Sequence, residues 1–143
     1  MIHSTAIIDK TAFIHTTSSV GALTVIEEGV YIGKNVVIQG GCRIGKECYI
    51  DDDCVVKWGS ILTQKVELQK GVFFGTQAVC LGSDSDRIEE HGTIIGEGCY
   101  IGARAIIFPA VSIINETIIG AGALIRYPIQ AKGTYVGLQK QVK

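Results

Sequence analysis

One stretch of this 143-residue chain gathers side chains that can do chemistry, the segment CLGSDSDRIEEHG at residues 80–92. His91 is a candidate general base, because an imidazole exchanges a proton near neutral pH. A nearby carboxylate can orient the ring and stabilise the imidazolium. Asp84 is our first choice, and the sequence leaves the other carboxylates of the segment open: Asp86, Glu89 and Glu90. The alternative is a solvated loop histidine that does no chemistry.

Cys80 offers a second chemistry, a covalent acyl-enzyme formed on its thiolate. It stands at a position where the repeat described below points side chains into the core, so we predict an inert, buried thiol. Cys42, Cys48 and Cys54 are spaced by six residues, which matches neither a zinc pattern nor a familiar disulfide framework. We therefore predict small buried side chains and no metal site.

The segment interrupts a repeat of six residues. Thirteen consecutive hexads run from Ile2 to residue 79, and a second run covers Ile95–Leu124. The first position is aliphatic, or Phe74 once, and the fifth is Ala, Ser, Thr, Val or Cys. From Phe74 to Ile95 is 21 residues, three hexads plus three, so the phase slips within residues 80–94. We predict that the excess bulges outward as a loop, since these charges would be costly to bury.

A period of six predicts very short strands joined by turns, in units that must stack to bury a common core. Glycines just after the aliphatic position, such as Gly33 and Gly45, are predicted to form the bends.

This pattern resembles the hexapeptide-repeat acyltransferases. The resemblance implies an all-β fold, a left-handed parallel β-helix with one protruding loop near residues 81–92 and a short C-terminal cap. It covers nearly the whole chain, so we predict a single hexapeptide-repeat domain over residues 1–143. The family has three hexads per coil, so residues eighteen apart would stack. Sixth positions, which face outward, would then form an exposed column of Phe13, Tyr31 and Tyr49. Either a subunit contact or the terminal segment would cover this column. The family also implies a homotrimer with sites between subunits.

The segment VCLGSDSDRIEEHGTIIGEGCYIGARAII is similar to a stretch of sugar and serine O-acetyltransferases that runs V-T-L-G, loop, R-H-P, then I-G-x-G-V-x-I-G-A. His91 falls at the His of that stretch, whereas Glu90 and Gly92 depart from its Arg and Pro. The resemblance implies an acetyl-CoA-dependent acetyltransferase acting on a hydroxyl or amine of a sugar or sugar-nucleotide, in surface-polysaccharide synthesis. His91 would act as general base for direct transfer.

The resemblance also implies where acetyl-CoA, the co-substrate, lies. Family members hold its pantetheine arm on backbone groups of I-G-A hexads, and the matching residues are Gly102, Ala103, Ala105, Gly120, Ala121 and Ala123. The repeat alone also accounts for these small residues. Cations for the CoA phosphates would be Arg126 and Lys140, with Lys132 and Lys143 nearby. The tail YVGLQKQVK matches the family's terminal V-V-G-x-P-A-R/K only at Val136 and Gly137.

Charge and hydropathy exclude some partners. A net charge of −1 shows no electrostatic footprint for nucleic acid or an anionic membrane. No signal-like segment opens the chain and no apolar run reaches bilayer length, so we expect a soluble cytoplasmic protein without membrane insertion. Trp58, at a third hexad position, is predicted to be exposed, where it could stack on an acceptor sugar or lie in a subunit contact.

Two other functions stay open. One is a non-catalytic hexapeptide-repeat scaffold or binding module, which would not bind CoA. The weaker one is a metalloprotein like the γ-carbonic anhydrases, which share the fold and need three His ligands on zinc. His3, His15 and His91 are too scattered for that pattern. The sequence does not name the acceptor, the acyl chain length, or O- against N-acetylation.

Overall fold

The computed structural model describes residues 1–82 and 92–142, which form an all-β parallel solenoid of about seven coils. The strands stack into three sheets, and each of the first sixteen strands pairs with the strand three further along the chain. The predicted hexapeptide-repeat solenoid is therefore confirmed. The left-handed sense and the single domain over residues 1–143 stay predictions. In the described part of the chain, no helix is long and apolar enough to span a bilayer.

The strand bounds follow the six-residue repeat. Sheet 1 contains β1 (Ile7–Ile8), β4 (Val25–Ile26), β7 (Arg43–Ile44), β10 (Ile61–Leu62), β13 (Val79–Cys80), β16 (Ile106–Ile107) and β19 (Leu124–Ile125). Sheet 2 contains β2 (Phe13–Ile14), β5 (Tyr31–Ile32), β8 (Tyr49–Ile50), β11 (Glu67–Leu68), β14 (Ile94–Ile95) and β17 (Ser112–Ile113). Sheet 3 contains β3 (Ser19–Val20), β6 (Val37–Ile38), β9 (Val55–Val56), β12 (Phe73–Phe74), β15 (Tyr100–Ile101), β18 (Ile118–Ile119), β20 (Thr134–Val136) and β21 (Lys140–Val142).

The core is built from two positions of each hexad. The aliphatic first position is buried through most of the solenoid, as in Ile44 and Phe74. The small fifth position is buried as well, as in Cys48 and Ala105. The fifth residue therefore forms a second buried layer beside the aliphatic one. The five cysteines are free and buried, as expected.

The sharp bend lies at the fourth position of the hexad. From Leu23 to Gln77 and again from Gly98 to Gly122 this position has a positive φ, as in Asn35 and Gly59. The amide of the fifth residue also donates a hydrogen bond to the carbonyl of the second residue, as Ser60 does to Lys57. Together with the positive φ, this bond identifies the bends as type II turns. The predicted role of the second-position glycines was wrong: they allow close approach between coils, and a Cβ atom at Gly45 would overlap the carbonyl of Thr63.

The interruption of the repeat is longer than the phase slip indicated. Tyr49 pairs with Glu67, eighteen positions along, but Glu67 pairs with Ile94, 27 positions along. The chain therefore inserts nine residues where our count of three hexads plus three implied an excess of three. Gly82 occupies a third hexad position and Gly92 a fourth, since they stack on Gln64 and Lys65. The insertion, residues 83–91, thus interrupts the tip of a turn.

A C-terminal cap closes one end of the solenoid, as predicted. β20 extends sheet 3 beside β18, and β21 folds back on it as an antiparallel strand. Oε1 of Gln139 accepts hydrogen bonds from the amides of Arg126 and Tyr127, both at 2.7 Å, and so satisfies two backbone donors of the last coil. The cap lies on sheet 3 and on the end of the last coil.

The predicted aromatic column runs along sheet 2 and is not covered by the cap. The rings of Phe13 and Tyr31 stack with centroids 5.3 Å apart, and those of Tyr31 and Tyr49 with centroids 4.7 Å apart. Phe13 is 52% exposed in the single chain. Of the two covers that the sequence allowed, the terminal segment is therefore wrong, and a subunit contact stays a prediction.

Candidate functional site

The three sheets meet at three corners, each a stack of β-turns running along the solenoid. The Trp58 corner joins sheet 3 to sheet 1 and contains residues 3–6, 21–24, 39–42, 57–60, 75–78, 102–105 and 120–123. The Gly82 corner joins sheet 1 to sheet 2 and contains residues 9–12, 27–30, 45–48, 63–66, 81–82, 92–93 and 108–111. The acidic corner joins sheet 2 to sheet 3 and contains residues 15–18, 33–36, 51–54, 69–72, 96–99 and 114–117.

The carboxylates are distributed unevenly among these corners. Over its seven coils the Trp58 corner, all of it within the described residues, contains no Asp or Glu but does contain Lys57 and Arg104. The Gly82 corner has four described carboxylates, and the acidic corner has five, while Glu67 lies on sheet 2. The Trp58 corner is therefore the edge of the prism best suited to an anionic ligand.

All six residues predicted to hold acetyl-CoA lie on the last two coils of the Trp58 corner. Four of them serve the solenoid itself. The amides of Gly102 and Gly120 donate to the carbonyls of the next coil, and Ala105 and Ala123 are buried, with amides that close their own turns. The side chains of Ala105 and Ala123 therefore belong to the core.

Ala103 and Ala121 are the two of the six whose side chains are exposed. They occupy third hexad positions on consecutive coils, so their methyl groups lie one above the other. A Cβ atom at Gly102 would lie 2.5 Å from the amide nitrogen of Ala121, so the backbones of the two coils approach closely. The corner thus presents a narrow strip in which the side chains at the third positions are only methyl groups. An extended pantetheine arm can lie along this strip, close to the backbone.

The predicted phosphate cations lie beside the C-terminal cap. The Arg126 guanidinium is 5.5 Å from the centre of the Tyr127 ring, and Lys140 is exposed in β21. Lys132 differs from them, because its Nζ bonds Oε2 of Glu116 at 2.9 Å and this ion pair lowers the pKa of the Glu116 carboxyl. Lys143 lies outside the described residues.

His91 and Asp84, the predicted base and its partner, lie outside the described residues, but both ends of their segment are visible. The amide of Gly82 donates to Oγ1 of Thr63 at 2.8 Å. Oγ1 of Thr93 donates to the carbonyl of Leu81 at 2.6 Å. The segment therefore leaves and re-enters the solenoid at the Gly82 corner, whereas Ala103 lies at the Trp58 corner. Within one chain, the whole width of sheet 1 separates these two corners.

Cys80 lies in the core, as predicted. Its side chain has no exposed surface, and burial raises the pKa of its thiol well above the ordinary value. Burial likewise raises the pKa of Cys48 to about 12. A thiol that resists ionisation and touches no solvent is a poor nucleophile. The geometry therefore gives no support to a covalent acyl-enzyme.

His3 and His15 perform a structural task that the sequence analysis did not identify. Nδ1 of His15 accepts the Thr17 amide at 3.2 Å and lies 2.9 Å from the Thr17 hydroxyl. That hydroxyl accepts the amide of Asn35 from the next coil at 2.9 Å. His3 and Thr5 repeat the arrangement at the Trp58 corner. At the Gly82 corner the carboxylate of Asp9 takes the place of the imidazole. The pattern His/Asp-x-Thr, repeated every six residues, is the sequence signal that could have predicted this structural role.

Trp58 is exposed, as predicted, with 56% of its surface accessible. It leans towards the preceding coil, since a Cβ atom at Gly40 would lie 2.5 Å from Cζ3 of the indole. The indole therefore forms a wall on the corner that also carries Ala103 and Ala121.

The described residues hold no cluster of three or more His, Cys, Asp or Glu side chains that could bind a metal ion. His3 and His15 lie at different corners of the first coil. The described part of the chain thus offers no support for the carbonic-anhydrase-like alternative, and the absence of a metal requirement stays a prediction.

Comparison with known families matches two stretches on either side of the insertion. A family model described as "GMPPB C-terminal domain" matches residues 1–85, more than half of the chain, and one described as "Hexapeptide repeat of succinyl-transferase" matches residues 92–126. The chain belongs to the hexapeptide-repeat transferase family.

Three solved structures have a similar fold. PerB from Caulobacter crescentus, in complex with CoA and GDP-perosamine, is 20% identical with a TM-score of 0.75, over 99% of this chain and 56% of that chain. The acetyltransferase domain of PglB from Neisseria gonorrhoeae is 20% identical with a TM-score of 0.74, over 99% and 57% of the two chains. AntD, an N-acyltransferase from Bacillus cereus in complex with dTDP-4-amino-4,6-dideoxyglucose and CoA, is 19% identical with a TM-score of 0.71, over 97% and 80%.

These likenesses concern the fold, since every identity is 22% or lower. The chain spans little more than half the length of PerB and PglB.

Proposed function

We propose that this hexapeptide-repeat protein is an acetyl-CoA-dependent acetyltransferase that acts on a hydroxyl or amine of a sugar or sugar-nucleotide. The observation that carries the proposal is the Trp58 corner, which lacks carboxylates and presents the exposed methyl groups of Ala103 and Ala121, beside Arg104, on its last two coils. An extended pantetheine arm would lie along these methyl groups, and the CoA phosphates would lie near Arg126 and Lys140.

His91 is the proposed general base and Asp84 its proposed orienting partner. His91 would take the proton from the acceptor hydroxyl or amine while the oxygen or nitrogen attacks the thioester carbonyl. Collapse of the tetrahedral intermediate breaks the carbon–sulfur bond, and the imidazolium returns the proton to the departing CoA thiolate. This direct transfer needs no enzyme nucleophile, which agrees with the buried thiol of Cys80.

The donor strip lies at a different corner from the one where the insertion that contains the proposed base leaves and re-enters the solenoid, and this separation favours a site shared between copies. In a cyclic assembly the Gly82 corner of one copy can face the Trp58 corner of the next. The exposed aromatic column from Phe13 to Tyr49 offers apolar surface for such an assembly. We therefore include the homotrimer in the proposal.

A non-catalytic scaffold or binding module is the second candidate. One observation favours it: within the described residues, both histidines serve the turns of the first coil, which leaves His91 as the single candidate base. This candidate predicts no binding of CoA.

Thermal unfolding with and without acetyl-CoA separates the two candidates. At a hundredfold excess over Kd, a specific ligand stabilises the fold by about 2.7 kcal/mol, which raises Tm by several degrees. We expect this rise for the wild type and its loss in Ala121→Leu, which fills the strip. Thr16→Leu, the same kind of exposed third position at the acidic corner, should keep the rise. No rise in the wild type would contradict the proposal.

A further inference from the structure

Trp58 forms one wall of a groove on the middle coils of its corner. The groove has a volume of about 390 Å³, and its lining is mostly apolar. The glycines of the corner keep it open, because Gly41 and Gly59 have positive φ and carry no side chain above the backbone. The Cζ3 edge of the indole lies next to Gly40, and more than half of the Trp58 surface is exposed. The groove therefore has the shape of a slot beside an aromatic plane.

A guanidinium group lies further along the same corner. Nε of Arg104 donates to Oε1 of Gln77 at 3.0 Å, and this contact holds the guanidinium over the coil of Gln77. Among the described residues, no carboxylate is within salt-bridge distance of Arg104. Its remaining donors thus face an edge of the prism that has no acidic residue, and they suit an anionic group such as a phosphate.

The aromatic plane and the cation are separated along the corner by a distance that suits a nucleotide. Trp58 and Arg104 lie two coils apart, which corresponds to about 10 Å at the spacing of neighbouring strands. The ribose and diphosphate of a nucleotide span this kind of distance from the base. Between them the lining of the groove contains Gly59 and Thr76, and the Gln77 side chain that contacts Arg104 forms its far end.

We propose that the Trp58 corner carries a nucleotide subsite, in which Trp58 stacks on the base and Arg104, held by Gln77, binds the diphosphate. Stacking on an exposed aromatic side chain tolerates any base. The inference rests on the proposed function, because both substrates of such a transferase can carry this chemistry. The acceptor can be a nucleoside diphosphate sugar, and CoA contains an adenosine diphosphate unit.

The fluorescence of the protein tests the subsite directly, since Trp58 is its only tryptophan. The wild-type protein is titrated with UDP, GDP, dTDP, ADP, CoA and 4′-phosphopantetheine. We expect saturable quenching by at least one nucleoside diphosphate or by CoA, and none by 4′-phosphopantetheine, which has no base. Quenching by a diphosphate that persists in saturating CoA assigns the subsite to the acceptor. Quenching by CoA that the diphosphates compete away assigns it to the donor.

Variants studied by calorimetry identify the two contacts. Trp58→Leu should weaken the binding of the quenching nucleotide about tenfold or more, and Trp58→Phe should retain most of it. Arg104→Met should weaken the binding of the nucleoside diphosphate while leaving the affinity for the corresponding nucleoside unchanged. Arg43→Met, which removes an exposed arginine from sheet 1, is the control and should change neither.

Different experimental results would overturn the subsite and the proposed function. If acetyl-CoA raises Tm but neither CoA nor any diphosphate quenches Trp58, the subsite is wrong and the transferase proposal stands. If a diphosphate quenches Trp58 but acetyl-CoA gives no rise in Tm, the subsite stands on a protein that is not an acetyltransferase. Equal affinities in Trp58→Leu and the wild type would also overturn the subsite.

Discussion

Thr93 and Leu81 are joined across the insertion by a hydrogen bond of 2.6 Å from the threonine hydroxyl to the leucine carbonyl. The same hydroxyl lies 3.2 Å from the carbonyl of Phe108 on the next coil. Thr93 is fully buried, so its hydroxyl joins the two ends of the inserted segment to each other and to the next coil, beside the bond from the Gly82 amide to Thr63. The position of His91 should therefore depend on Thr93, although the two side chains need not touch.

Thr93→Val should lower kcat while leaving the KM for acetyl-CoA unchanged. The substitution keeps the shape of the side chain but leaves the Leu81 carbonyl without this partner, at a cost of about 1 to 3 kcal/mol. The end of the segment that carries His91 then loses its anchor. Steady-state kinetics, with the free energy of unfolding measured in urea, checks both effects.

Thr117→Val is the matched control for that experiment. Thr117 is also buried at a fifth hexad position, and its hydroxyl donates to the Ile114 carbonyl at 2.8 Å, but it lies at the acidic corner. The Thr117→Val variant should lose about as much stability as Thr93→Val and keep the wild-type kcat. Equal losses of kcat in both variants would show that Thr93 acts only through general stability.

A shared site predicts that two inactive variants restore activity when their chains are mixed. His91→Ala removes the proposed base from the Gly82 corner, and Ala121→Leu blocks the donor strip at the Trp58 corner. If each site takes one corner from each of two copies, random reassembly gives about one site in four with both halves intact. Refolding the two variants together and assaying the mixture measures this fraction. No gain over the separate variants, or a stable monomer in light scattering, would contradict the shared site.

Direct transfer predicts that Cys80 is dispensable. Cys80→Ala should cost about 1 kcal/mol of stability, because it trims a side chain in a packed core, and should leave kcat near the wild-type value. Initial rates measured against both substrates should give intersecting lines, since the acceptor attacks acetyl-CoA within a ternary complex. A ping-pong pattern, or inactivity of a folded Cys80→Ala protein, would revive the acyl-enzyme.

Much of the fold was predictable from the six-residue period. The period predicts short strands joined by turns, and the resemblance to the family adds the coil of three hexads in which residues eighteen apart stack. The column from Phe13 to Tyr49 and the burial of Cys80 both follow from that register. The positive φ at the fourth position was missed, because Leu23 and Lys65 are not residues that sequence alone assigns to a left-handed conformation.

The length of the insertion could not be obtained from the repeat. A period of six determines a phase only to within multiples of six, so excesses of three and of nine residues look the same. The pairing of Glu67 with Ile94 resolves this ambiguity. The role of the glycines was misjudged for a related reason: the overlap between a Cβ at Gly45 and the Thr63 carbonyl arises between coils, not within a turn.

The candidate site was predictable in part. The segment that contains His91 was identified by its failure to follow the repeat, but His91 and Asp84 lie outside the described residues and their roles stay predictions. The donor residues share one corner, and writing the hexads in rows of three would have shown that this corner has no carboxylate. The alignment of Trp58 with Ala103 follows from the same rows. The groove beside Trp58 required the direction of the indole side chain.

The most direct test of the account is acetyl transfer by the wild type, His91→Ala and His15→Asn. Labelled acetyl-CoA is supplied with a panel of sugar-nucleotides that carry a free amine or hydroxyl. We predict that the wild type labels at least one acceptor, that His91→Ala lowers kcat/KM by about 10²- to 10⁴-fold, and that acetyl-CoA still raises the Tm of that variant. His15→Asn keeps an acceptor for the Thr17 amide and should remain active. Near-full turnover in His91→Ala would contradict the account.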